Sequence, residues 1–204
     1  MERMENLVKE MLSTEFAKEY ILHGVIPIIL NENSDRAKKY LENDALNDTF
    51  FADMRVFFVV RIADPEKDSE GFFVLSKQIA AVAGLSFTEI VDKARENAQK
   101  AISFGRFMSI MYVATNDLGS FGTGCVLCRE FLDGVFGMIG AFYLLPSSVH
   151  EWIIYPAKSE MDGSELDPDT LRGIVHDINQ AEVAPCDFLS DHVLLFDGKN
   201  LKEA

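Results

Sequence analysis

The stretch MRVFFVVRI, residues 54–62, decides the fold class. Val56 to Val60 is an unbroken apolar run of β-branched and aromatic side chains, too continuous to leave one face to water. It reads as a central strand, which requires neighbours on both edges. The run DPEKDSEG, 64–71, is the most loop-like segment of the chain, and the short apolar stretch 72–75 returns from it as a hairpin partner. Upstream, VIPIIL at 25–30 is apolar, but Pro27 has no N–H to give a ladder, so this is an edge strand or an irregular buried segment. Residues 34–43 have the propensity of a helix.

Farther out, Met4, Leu7, Val8, Met11 and Leu12 fall on one stripe of a first helix, and a second spans 14–22, with Gly24 placed to end it in a left-handed conformation. Ser86 and Glu89 form a capping box, Leu85 and Ile90 occupy the staple positions, and a helix follows over 87–102. Its buried stripe is Phe87, Ile90, Val91, Ala94, Ala98, Ala101 and Ile102. Phe107 to Ala114 alternates like a strand, and 116–124 is a turn-rich loop. Phe131, Leu132, Val135, Phe136 and Ile139 mark another helix.

Two strands, 141–145 and 152–155, bracket the polar loop PSSVHE and are expected to pair antiparallel. A last helix opens with Asp167 as cap and Pro168 at its first position, buries Leu171, Ile174, Val175 and Ile178, and stops before Pro185. Residues 192–196 close as a strand. Strand pairs separated by helices define an α+β fold with a largely antiparallel sheet and flanking helices. We expect one domain over 1–204, with residues 1–24 as a helical N-terminal appendage.

Composition narrows the function. Of 204 residues, 48% are apolar and 25% charged, enough for a sizeable core. Nineteen Lys and Arg oppose 33 Asp and Glu, a net charge of -14 spread along the chain. That field repels phosphate backbones and argues against nucleic acid as a partner. The N-terminus lacks the basic and apolar regions of a secretory signal. The longest stretch without charge, Gly134 to Val149, contains Pro146 and is shorter than the roughly 20 residues that span a bilayer. Three cysteines are too few for a disulfide scaffold and fit a reducing compartment, so a cytoplasmic location is expected.

Several of these segments also resemble a known family. MYVATN at 111–116, LLPSSVHEWIIYP at 144–156, INQAEV at 178–183 and LSDHVLLFD at 189–197 are similar to an uncharacterised bacterial family, the domain of unknown function numbered fifty-six eighty-eight. ILNEN at 29–33, FFADMRVFF at 50–58 and LSFTEIVDKARENAQ at 85–99 extend the likeness in the same order. The resemblance implies no activity, ligand or catalytic residue, and Cys125 and Cys128 are not part of the family's pattern.

The residues themselves offer one catalytic candidate. In PSSVHE, Ser147 or Ser148 would be a nucleophile, His150 its base and Glu151 an orienting acid. If the segment is extended, Ser148 and His150 project to one face and Glu151 to the other, which opposes convergence. Cys125 and Cys128 form a C-x-x-C, but a structural zinc needs two further ligands, and the pair reads as two small apolar side chains. His23, His176 and His192 show no ligand spacing. GSFGTG at 119–124 lacks the Lys-Ser or Lys-Thr of a phosphate loop and reads as a turn. No metal and no cofactor is expected.

Two functions therefore compete. One is a non-enzymatic binding or accessory protein with a protein or small-molecule partner; the other is a hydrolase centred on Ser148, His150 and Glu151. A pocket at the 145–152 connection, with a polar group from a distant segment such as Asn116 or Asp191, discriminates between them.

Overall fold

The computed structural model describes residues 15–64, 69–107, 110–158, 164 and 166–204. The helix expected over Met4–Leu12 lies outside them. In chain order the elements are α1 (Glu15–Gly24), β1 (Val25–Asn31), α2 (Asp35–Glu42), β2 (Asn47–Thr49), β3 (Met54–Asp64), β4 (Ser69–Val74), α3 (Lys77–Val82) and α4 (Phe87–Ala101). There follow β5 (Ile102–Phe107), β6 (Met111–Asn116), a 3-10 turn (Gly122–Leu127), α5 (Arg129–Ile139), β7 (Phe142–Ser148), β8 (Glu151–Pro156), α6 (Pro168–Glu182), β9 (Leu194–Phe196) and β10 (Leu201–Glu203).

The fold is α+β, built on two antiparallel sheets. β3 is the central strand of the first, with β1 along one edge and β2 and β4 sharing the other. Val56 to Val60 are all buried, as their continuous apolar character requires. β1 is an edge strand, and Pro27 is accommodated there because no ladder needs its missing N–H. The second sheet has the order β10-β9-β7-β8-β6-β5. The expected pairing of the 141–145 and 152–155 strands is present as β7 against β8, with an irregularity between Pro146 and Ser148.

The 3-10 turn joins the two sheets. Thr123 stands against the open edge of β1, where its hydroxyl accepts from Ile29 N–H at 3.0 Å and donates to Ile29 C=O at 3.1 Å. Its own carbonyl accepts the indole N–H of Trp152 from β8 at 2.9 Å. The glycines of GSFGTG serve this close approach: a Cβ on Gly124 would stand 2.1 Å from Pro27 O, and one on Gly122 2.3 Å from Thr115 Oγ1. One core cluster then runs from Phe57 and Ile29 of the first sheet to Phe142, Trp152 and Phe196 of the second.

Several local expectations change. Gly24 does not take a left-handed conformation; a Cβ there would lie 2.8 Å from Arg61 O, so close packing is what glycine serves. The strand expected over 107–114 is instead divided between β5, which ends at Phe107, and β6, which begins at Met111, and the two pair antiparallel. Of the segment 64–71 expected as a loop, Asp64 belongs to β3 and Ser69 to Gly71 to β4. In α4 the capping box is present, but Phe87 is 42% exposed. In α6, Leu171 and Val175 are buried, whereas Ile174 and Ile178 are 48% and 50% exposed.

Candidate functional site

The hairpin that holds PSSVHE is tight. Ser148 pairs with Glu151 across its tip, and Val149, buried, donates its N–H to Asp187 O at 2.8 Å. Ser148 Oγ accepts from the backbone N–H of His150 at 3.1 Å, so the serine meets that residue's main chain. The His150 ring turns to other partners. Its Nδ1 accepts from Phe121 N–H at 3.2 Å, which leaves the proton on Nε2, and Nε2 lies 3.4 Å from Asp187 Oδ1. Both ring nitrogens are thus occupied, and no lone pair is directed at a serine.

Phe121 is held with φ 54° and ψ 36°, a left-handed conformation unusual for a bulky residue. Its ring lies under the Arg36 guanidinium at 4.7 Å and beside the His150 ring at 5.3 Å. A buried polar seam runs nearby. The Asn31 side-chain amide donates to Asp53 Oδ2 at 2.7 Å and to Leu189 O at 2.9 Å, and Ser190 Oγ donates to Asp53 Oδ1 at 2.6 Å. Asn179 donates from α6 to Ser190 O and Asp191 Oδ1, both at 2.9 Å. These groups satisfy one another and tie the 31–34, 53 and 187–191 loops together. Sequence reasoning passed over Asn31 and Asn179; an asparagine inside an apolar stripe was the available signal.

Glu151 and Ser147 go the other way. Strand alternation sends Glu151, Ile153 and Tyr155 to the outer face of the second sheet, opposite Trp152 and Ile154. There they line a groove of about 570 Å³ at the 145–152 connection. Met111, Val113 and Ile153 form its floor, and Ile174 and Ile178 of α6 its wall. Asn179 is the polar group from a distant segment, and Glu151 is the one charged side chain among the lining residues. Of the candidate residues, the groove therefore takes Glu151 and Ser147, while Ser148 and His150 are not among its lining.

The groove exists because α6 covers only part of this face. Leu171 and Val175 pack over Tyr143, Leu145 and Val193 in a second, smaller core. Six strands spaced at about 4.8 Å make a floor wider than one helix of about 10 Å can cover. The outer faces of β5, β6 and β8 are left only partly covered among the described residues, and Gly105, opposite Val113, adds no side chain to shield them.

The other chemically suggestive groups are committed. Cys125 and Cys128 are both buried; burial pushes the Cys125 thiol strongly up and Cys128 up to about 11, which suppresses thiolate chemistry. His176 pairs with Asp191 at 2.8 Å and His192 with Glu203 at 2.5 Å. A cleft lined by His23, Arg61, Lys93 and Lys100 holds cations that already meet acids: Arg61 meets Asp117, and both lysines meet Glu96. Among the described residues no group of three or more His, Cys, Asp or Glu could hold a metal ion, and no helix is long and apolar enough to cross a membrane.

Fold and site together describe an α+β protein with two antiparallel sheets and an apolar groove left open on the larger. Residues 103–198, just under half of the chain, match the model of a family described as Family of unknown function (DUF5688), the family that the sequence motifs resemble. The match contains β6, the PSSVHE hairpin, α6 and β9, and so most of the groove. No curated protein and no solved structure matches the chain.

Proposed function

We propose that this protein acts by binding and not by catalysis, as an accessory protein that holds a partner in the groove between α6 and the β5–β6–β8 strands. The observation that carries this reading is the groove itself: about 570 Å³, floored and walled mainly by apolar side chains, with Ser147, Glu151, Tyr155 and Asn179 as its polar members. Binding sites have this make-up, an apolar body with few placed polar groups. Exposed apolar residues also gather there, since Phe107, Ile174 and Ile178 are all more than two-fifths exposed. On this reading the protein works in the cytoplasm, which its three free thiols suit.

The hydrolase reading draws its support from the His150–Asp187 pair. It lacks a nucleophile, because Ser148 Oγ contacts the His150 main chain while the ring nitrogens face Phe121 N–H and Asp187. The two readings separate in one experiment: titrate wild type, Ile178→Asp and His150→Ala with the neutral apolar dye Nile red, and assay each on ester, amide and phosphoester panels. We expect dye uptake by wild type, its loss in Ile178→Asp, and a lowered melting temperature in His150→Ala without turnover in any of the three. Turnover that vanishes in an equally stable His150→Ala protein would establish the hydrolase instead.

A further inference from the structure

Resting on the binding reading, we infer that the occupant of the groove is a single amphipathic helix of a partner protein, about four turns long and basic along its edges. The width of the site points to a helix. The partly open floor comprises three strands, about 10 Å across, which is the diameter of one helix with its side chains. α6 bounds it on one side with Ile174 and Ile178, which stand three positions after Leu171 and Val175 respectively yet lie outside the smaller core. A second helix laid beside α6 at the usual spacing of 8–10 Å would bury both isoleucines against its own apolar stripe and rest on Val113 and Ile153. α6 has 15 residues, so the shared length is about 22 Å.

Charge selects the partner. The lining contains no lysine or arginine, its one charged member is Glu151, and Asp177 is exposed on α6 between Ile174 and Ile178. An apolar stripe flanked by Lys or Arg meets both acids, and the net charge of -14 draws such a helix in from a distance. A second copy of this chain fits less well: a two-fold contact would set this acidic patch against itself and bring together two chains of that same net charge. By composition, segments 1–14 and 159–163 of the chain carry three acids to two bases and two acids to none, so neither has the basic edges that these acids select.

The test uses the full chain and two model peptides of 18 residues, amphipathic helices of Leu with Lys or of Leu with Glu, titrated by calorimetry in low salt. The Leu/Lys peptide should bind at least about tenfold more tightly than the Leu/Glu peptide. Ile178→Asp should abolish that binding while its circular dichroism and melting temperature stay those of wild type, and the double variant Glu151→Lys with Asp177→Lys should reverse the preference. A Leu/Lys preference that survives the double variant would show binding elsewhere on the acidic surface and overturn the inference. So would a wild-type dimer that Ile178→Asp dissociates, which would make a second copy the occupant. If Nile red enters the groove while neither peptide binds, the helix is wrong and the binding function stands; if the dye also fails, both fall.

Discussion

The two faces of the six-stranded sheet are made by the same strands, yet they differ in how they are covered. The inner face meets the 3-10 turn, α5 and the first sheet, so Ala114, Phe142, Leu144, Trp152, Ile154 and Phe196 are wholly buried. Among the described residues the outer face meets α6, with Ala157 and Leu166 beside it, and part of it stays open as the groove. Residues one position apart on β8 thus differ: Trp152 and Ile154 are sealed in the core, whereas Glu151 and Ile153 line the groove. Apolar content does not distinguish the faces; the difference lies in what the rest of the chain supplies to cover them.

The largest effect that would sharpen this contrast is at Trp152. Trp152→Ala should cost about 4 kcal/mol in a urea unfolding titration, because a cavity opens and Thr123 O loses its indole donor. A cost near 1 kcal/mol would mean the inner face is not the sealed one.

Next in size is a matched pair on a single strand. Ile154→Ala should lose about 3 kcal/mol and Ile153→Ala only about 1 kcal/mol, since the first leaves a void in a filled core and the second trims a partly exposed part of the groove floor. Equal losses would show that the outer face is as closed as the inner.

Asn179 tests the link between the faces. Asn179→Ala removes the donor to Ser190 O and Asp191 Oδ1 and should cost about 2 kcal/mol while loosening α6 on the sheet, measurable as faster amide exchange in that helix. Unchanged exchange would assign the anchoring of α6 to Leu171 and Val175 alone.

The smallest effect is a pH dependence on the solvent side of α6. Asp191 holds the His176 pKa above its ordinary 6.5, through a hydrogen bond and then by charge. The stability this pair adds is therefore fully present below that ordinary value and is lost as pH rises through the raised one. The melting temperature of His176→Gln should fall below that of wild type at about pH 5.5 and coincide with it at about pH 9. A gap that instead opens at high pH would refute the pairing.

Much of the scaffold was legible in the residue order because local rules govern it. MRVFFVVRI read as a central strand, Ser86 with Glu89 as the start of a helix, and Asp167-Pro168 as that of α6, where the Asp167 carboxylate accepts from Asp169 and Thr170 N–H. PSSVHE between two apolar runs announced the β7–β8 hairpin. What stayed hidden depends on distant partners. β2, β9 and β10 are strands of three residues held by a neighbour's ladder, and β5 carries Gly105 and Arg106, which no strand propensity favours.

The site divides along the same line. The alternation of β8 and the stripe of α6 were written in the sequence, and so was the divergence of Ser148 and His150 from Glu151. Periodicity reports which residues share a face, but a stripe that packs inward and a stripe that awaits a partner have the same period. Only the tertiary structure decided that one helix covers just part of a six-stranded face, that Leu171 and Val175 are covered while Ile174 and Ile178 are not, and that His150 spends both nitrogens on Phe121 and Asp187, because burial and convergence arise from segments far apart in the chain.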